Sequence, residues 1–132
     1  MGDEVLGSIE YGTGVLEAPL VVVLGHDSCG AIGAAYAALD DGAVPGGYIR
    51  DVVERVTPSV LAARAAGRFQ ADEILADHVR NTVDKLLERS NLLTERVETG
   101  QTAVVGLCYG LADGRAHVAA ARGVHRPVGT TS

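Results

Sequence analysis

The sequence has no tryptophan, one phenylalanine and only 4% aromatic residues across 132 positions. A core of stacked rings is excluded, so Val, Leu, Ile and Ala must fill the interior. That composition suits α/β layers around a buried parallel sheet. Positive charge is also scarce, with 11 Lys and Arg against 17 Asp and Glu, a formal charge of −6. Neutralised phosphates supply most nucleic-acid affinity, so an acidic chain without a basic stripe argues against a nucleic-acid partner. No apolar run approaches the roughly 20 residues of a membrane-spanning helix, which argues against a membrane partner. The opening residues, Met1-Gly2-Asp3-Glu4, lack the charged-then-apolar profile of a secretory signal. Cysteine is rare too. Cys29 and Cys108 lie far apart, and without an export signal they read as reduced thiols, metal ligands or core residues before a disulfide. One cytoplasmic domain is the expectation.

What is present is apolar: 47% of the chain, enough for a core. A chain of this length buries roughly two-thirds of the surface its unfolded form exposes. Val5, Leu6, Ile9, Val15 and Leu16 space out a short helix over Asp3–Glu17, weakened by Gly7, Gly12 and Gly14. Leu20-Val21-Val22-Val23-Leu24 is an unbroken apolar run and reads as a strand buried on both faces of a parallel sheet. Gly25 to Gly30 then forms a tight turn into an Ala-rich helix from Ala31 to Leu39. A loop over Asp40–Gly47 leads to a helix over Tyr48–Val56 that should stop near Pro58. Ser59–Ala66 reads as a second short helix, and Asp72–Arg89 as a long one with apolar residues from Ile74 to Leu87 on one face. Leu92, Leu93 and Val97 add a further turn or two. Thr102–Tyr109 and Arg115–Ala121 are strands around a turn at Leu111–Gly114, a hairpin. A domain over 1–121 with a flexible tail over 122–132 results. Nothing upstream can pair with the second edge of the Val21–Leu24 strand, and an uncovered apolar edge invites association.

Chemistry concentrates where the first strand ends. Open α/β folds place their sites at the carboxyl ends of parallel strands. His26 and Cys29, three residues apart, can bring both donor atoms to one metal if the backbone turns between them. Imidazole nitrogen and thiolate sulfur together suit zinc better than magnesium or calcium. Gly25 and Gly30 bracket the pair and permit tight turning and close backbone approach. The spacing by itself equally fits a buried thiol beside a hydrogen-bonded histidine.

The wider string narrows the choice. Ser8-Ile9-Glu10-Tyr11 and Pro19 through Gly30, PLVVVLGHDSCG, resemble the second half of the β-class carbonic anhydrase signature. Gly46-Gly47-Tyr48, Asp51-Val52-Val53, Val79, Thr82-Val83 and Val104-Val105-Gly106 extend the likeness from about Val5 to about Val118, closest to actinobacterial members. The resemblance implies an α/β fold, a partial β-carbonic-anhydrase-like domain whose mostly parallel sheet is flanked by helices and closed by a C-terminal antiparallel hairpin. It implies a zinc enzyme that reversibly hydrates carbon dioxide to bicarbonate through zinc-bound hydroxide. His26 and Cys29 match two metal ligands of the family. Tyr11 matches a pocket-lining tyrosine that often acts across a dimer interface, and Gly30 a glycine whose backbone lies against the site. A homo-oligomer, or pairing with a full-length subunit, is also implied.

The family's other motif, Cys-x-Asp-x-Arg, carries the first zinc ligand and is absent here. A catalytic zinc usually has three protein ligands plus water, and two are visible. Cys108 could supply a further sulfur but suits a small core hydrophobe better. Asp27 could ligate or cap the following helix. His78 falls beside an apolar stripe, and His117 and His125 fall in the hairpin and tail. The expectation is thus either a fragment of a real enzyme or a catalytically silent, reduced partner of a full-length subunit. Two other classes stay in view. A cysteine hydrolase would use Cys29 as nucleophile, with a histidine base and no evident third orienting residue. A nucleotide-binding module would need a glycine pattern that positions 25, 30 and 33 do not match.

Overall fold

A computed structural model describes residues 1–27, 29–42, 46–68 and 70–124. Three strands form one sheet, β1 (Leu20–His26), β2 (Ala103–Tyr109) and β3 (Ala116–Arg122), in that spatial order. The first two run parallel, with Val22 opposite Val105 and His26 opposite Tyr109. The last two are antiparallel and carry an irregularity between Gly106 and Leu107. One crossover and one hairpin are thus the topology expected.

The crossover holds four helices, α2 (Gly30–Asp41), α3 (Gly47–Ala65), α4 (Ala71–Arg89) and α5 (Asn91–Glu98). Helix α4 packs along all three strands, and α2 and α3 lie beyond it. One cluster joins Ile32 and Ala35 of α2, Val53, Val56 and Val60 of α3, Leu75 and Val79 of α4, and Cys108 of β2. A second joins Leu6, Val83, Leu86, Leu93 and Val104. Leu6 comes from α1 (Asp3–Glu10), which unwinds at the expected glycines into a π-helical turn over Tyr11–Val15.

Two expectations need correction. The run Leu20–Leu24 is not buried on both faces: Leu20, Val22 and Leu24 are 50%, 48% and 60% exposed. All the packed helices lie on one side of the sheet, so alternate residues of β1 face solvent, and β1 is an edge strand. A continuous apolar run reports what a strand can bury, and here only half of that is used.

The helix beginning near Tyr48 does not stop at Pro58. It continues through the proline to Ala65. Proline forgoes one backbone bond and crowds the carbonyl four residues earlier. Val53, Val56, Ser59, Val60 and Ala63 nevertheless form one buried stripe across it, while Pro58 itself is exposed. Burial along the whole stripe outweighs one missing bond on the solvent side.

Among smaller differences, the last helical turns form a separate α5, begun at Ser90, whose hydroxyl accepts from Leu93 N at 3.1 Å and donates to Glu10 Oε2 at 2.7 Å. Strand β3 extends through Arg122, and the expected tail from position 125 onward lies outside the described residues.

Candidate metal centre

Strand β1 delivers His26 at its carboxyl end, and Cys29 sits at the N-cap of α2 in extended backbone. The strand–turn–helix order read from the sequence is therefore present. Both side chains border one cavity of about 390 Å³, with Asp27, Ile32, Tyr36 and Leu75 among its walls. Asp72, at the start of α4, brings a second carboxylate to the rim. Its position in the first turn of a helix reads from sequence only as favourable dipole placement, so the rim role was not legible there.

The His26 ring is oriented by its own neighbour. Nδ1 lies 2.8 Å from the carbonyl oxygen of Asp27. A carbonyl only accepts, so Nδ1 carries the proton and Nε2 keeps its lone pair in the neutral ring. Metal-binding histidines are held in this manner, with one nitrogen donating and the other left to coordinate.

Asp27 is anchored on both sides. Its backbone N–H donates to Tyr109 O at 3.0 Å, and its Oδ1 accepts from Leu111 N at 3.0 Å. The carboxylate thus ties the turn after β1 to the turn after β2. It does not cap α2, whose N-cap residue makes no side-chain cap bond. Nothing in the local sequence signals a partner 84 positions away.

The remaining candidates divide. Tyr11 is 57% exposed on the π-helical turn and does not line this cavity. Gly30 opens α2, and a Cβ built there would meet nothing within 4 Å, so no close approach demands glycine. Gly25 is different, for its Cβ would meet Val79 Cγ2 at 2.7 Å and Leu75 Cδ1 at 2.9 Å. Its role is to let α4 press on the strand, rather than to turn the chain. Cys108 points into the helix-side core at 2% exposure, and burial pushes its thiol pKa up despite the nearby Arg80. It is a core residue and does not line the cavity. His78 hydrogen-bonds Ser59 on α3, His117 is exposed on β3, and His125 lies outside the described residues.

The donor chemistry of His26 and Cys29 fits a zinc-type ion. The number of donors falls short, since among the described residues no three His, Cys, Asp or Glu side chains group as a metal site. For thiol chemistry His26 would need to reach the Cys29 sulfur, and among the described residues no hydrogen bond joins the two; the hydrogen bond His26 makes is to the Asp27 carbonyl.

A family model described as carbonic anhydrase matches residues 2–116. Carbonic anhydrase 2 of Mycobacterium tuberculosis is 58% identical over 112 residues, covering 85% of this chain and 54% of the relative. Carbonic anhydrase of Mycolicibacterium smegmatis is 56% identical over 111 residues, covering 84% and 54%. The chain thus spans about half the length of the curated relatives it matches. Among solved structures, a Coccomyxa β-carbonic anhydrase in complex with acetazolamide superposes with a TM-score of 0.72 at 19% identity, covering 86% of this chain and 52% of that one. One of two tetrameric β-carbonic anhydrases from Sordaria macrospora gives 0.68 at 20% identity, covering 89% and 60%. On the family match and the mycobacterial relatives, the chain belongs to the carbonic anhydrase family, and it carries part of the β-class fold.

Proposed function

We propose that this chain forms the His–Cys half of a zinc site in a β-class carbonic anhydrase that reversibly hydrates carbon dioxide to bicarbonate. Support comes chiefly from one observation: His26 and Cys29 border a single cavity, with the imidazole Nε2 left free to coordinate. Zinc would supply a bound water made far more acidic than bulk water, with a pKa of about 7. The chain's own residues do the rest. Asp27 O keeps the His26 proton on Nδ1, and the Asp27 carboxylate, fixed by Leu111 N, steadies that carbonyl. Ile32 and Leu75 give the cavity apolar walls, suited to a small uncharged gas.

Tyr11, exposed and absent from this chain's own cavity, is proposed to line the cavity of a second subunit, and Gly30 the backbone side of the site. Association of subunits is part of the proposal, and the setting proposed is cytoplasmic. A second reading, a catalytically silent partner of a full-length subunit, is favoured by the lack of a third ligand among the described residues.

Zinc analysis and carbon dioxide hydration assays on the purified chain test these readings together. Substoichiometric zinc and background hydration are expected, and His26→Ala or Cys29→Ser should abolish the residual metal. Zinc retained undiminished in both variants would refute the ligand assignment.

A further inference from the structure

A second concavity, of about 310 Å³, lies between α3 and α4 and shares no lining residue with the cavity at His26. Arg55, Ser59, His78, Asn81, Thr82 and Lys85 supply its polar lining. Ser59 is only 4% exposed, and its oxygen lies 2.9 Å from His78 Nδ1 and 3.3 Å from Asn81 Nδ2. An amide nitrogen only donates, so Ser59 accepts from Asn81, and among the described partners of this buried hydroxyl only His78 Nδ1 can take its proton. The His78 proton therefore sits on Nε2. Burial, and then the Lys85 ammonium, lowers the pKa of this imidazole, which keeps it neutral near pH 7 with one N–H to give.

The charges here run against the whole. The chain carries a formal −6, yet this groove, bordered also by Met1, is lined by two cationic side chains and no carboxylate. Among the described residues Arg55 and Lys85, like Arg96 and Arg115, form no ion pair, whereas Arg50, Arg64, Arg68, Arg80, Arg89 and Arg122 all do. Paired cations are satisfied at home. Two unpaired ones beside a neutral imidazole donor make a site rich in donors and poor in acceptors.

We propose that this groove binds a small oxyanion, phosphate or a carboxylate, between the Arg55 guanidinium and the Lys85 ammonium, with His78 Nε2–H as a neutral third donor. The inference rests on side chains of α3 and α4, with Met1 at the groove's border, and stands whether or not the metal reading holds.

Titration of the chelator-treated chain with inorganic phosphate, and separately with acetate, followed by NMR of the His78 ring, tests it. A saturable shift of the His78 N–H signal is expected, and the tighter of the two anions names the class. Arg55→Gln and Lys85→Gln, both at exposed positions, should each weaken binding roughly tenfold. Arg50→Gln on the same helix should leave binding unchanged. A His78 signal that moves with neither anion, or affinity that survives both α3 and α4 substitutions, overturns the proposal.

Discussion

Burial and the Lys85 ammonium hold the His78 imidazole below its ordinary titration range, and that has a consequence for stability. The unfolded chain protonates this ring as pH falls through about 6.5, while the folded chain resists until lower pH. Where the unfolded state binds more protons, stability falls with falling pH. The native protein should therefore lose more stability than a His78→Gln variant between about pH 7.5 and about pH 5.5, read by urea unfolding. An equal loss in both would mean that His78 titrates alike folded and unfolded. Other residues were more or less open to reading from the sequence. His26 and Cys29 were legible because their chemistry is local: two donors in one turn after an apolar strand. Asp27 was not, because its carboxylate is engaged by Leu111, a residue adjacent only in three dimensions.

Helix α4 is the element on which the fold turns, since it touches every strand. It approaches closely because the sheet offers glycine beneath it. A Cβ at Gly106 would meet Val79 Cγ1 at 2.5 Å and Val83 Cγ2 at 3.1 Å. Overpacking of this kind costs about 1–3 kcal/mol, so Gly106→Ala should lower the urea midpoint correspondingly. Gly30→Ala, where a Cβ meets nothing, makes the matched control, with little change beyond backbone propensity. A large loss for the control and none for Gly106→Ala would invert this account. Element type and order were legible because the helical stripe of α4 and the Val-rich strands carry strong periodicity. The continuity of α3 was not. Proline chemistry argues for a break at Pro58, and only the buried stripe from Val53 to Ala63, a tertiary fact, overrides it.

The whole molecule is two layers rather than three. Helices cover one face of the sheet, and Leu20, Val22 and Leu24 of β1, with Val118 of β3, face outward on the other. The outer edge of β1 has no strand partner among the described residues. Exposed apolar faces and unpaired edges drive association, and charged residues placed there oppose it. Leu24→Lys should raise the monomer fraction in sedimentation velocity while moving folding stability by no more than about 0.5 kcal/mol. A wild type already monomeric at high concentration would contradict this. The uncovered edge was visible in the sequence as an apolar strand with no upstream mate; the bare face was not, because hydrophobicity alone does not tell which side the helices choose.

The clasp between Asp27 and Leu111 also sets a timetable. A ribosome releases His26 and Cys29 long before it releases the amide that quiets their loop, 84 positions later than Asp27. Newly made protein therefore presents an imidazole and a thiol on a slack tether until the closing hairpin arrives. The donors come first, and the amide that fixes their arrangement follows only with the hairpin.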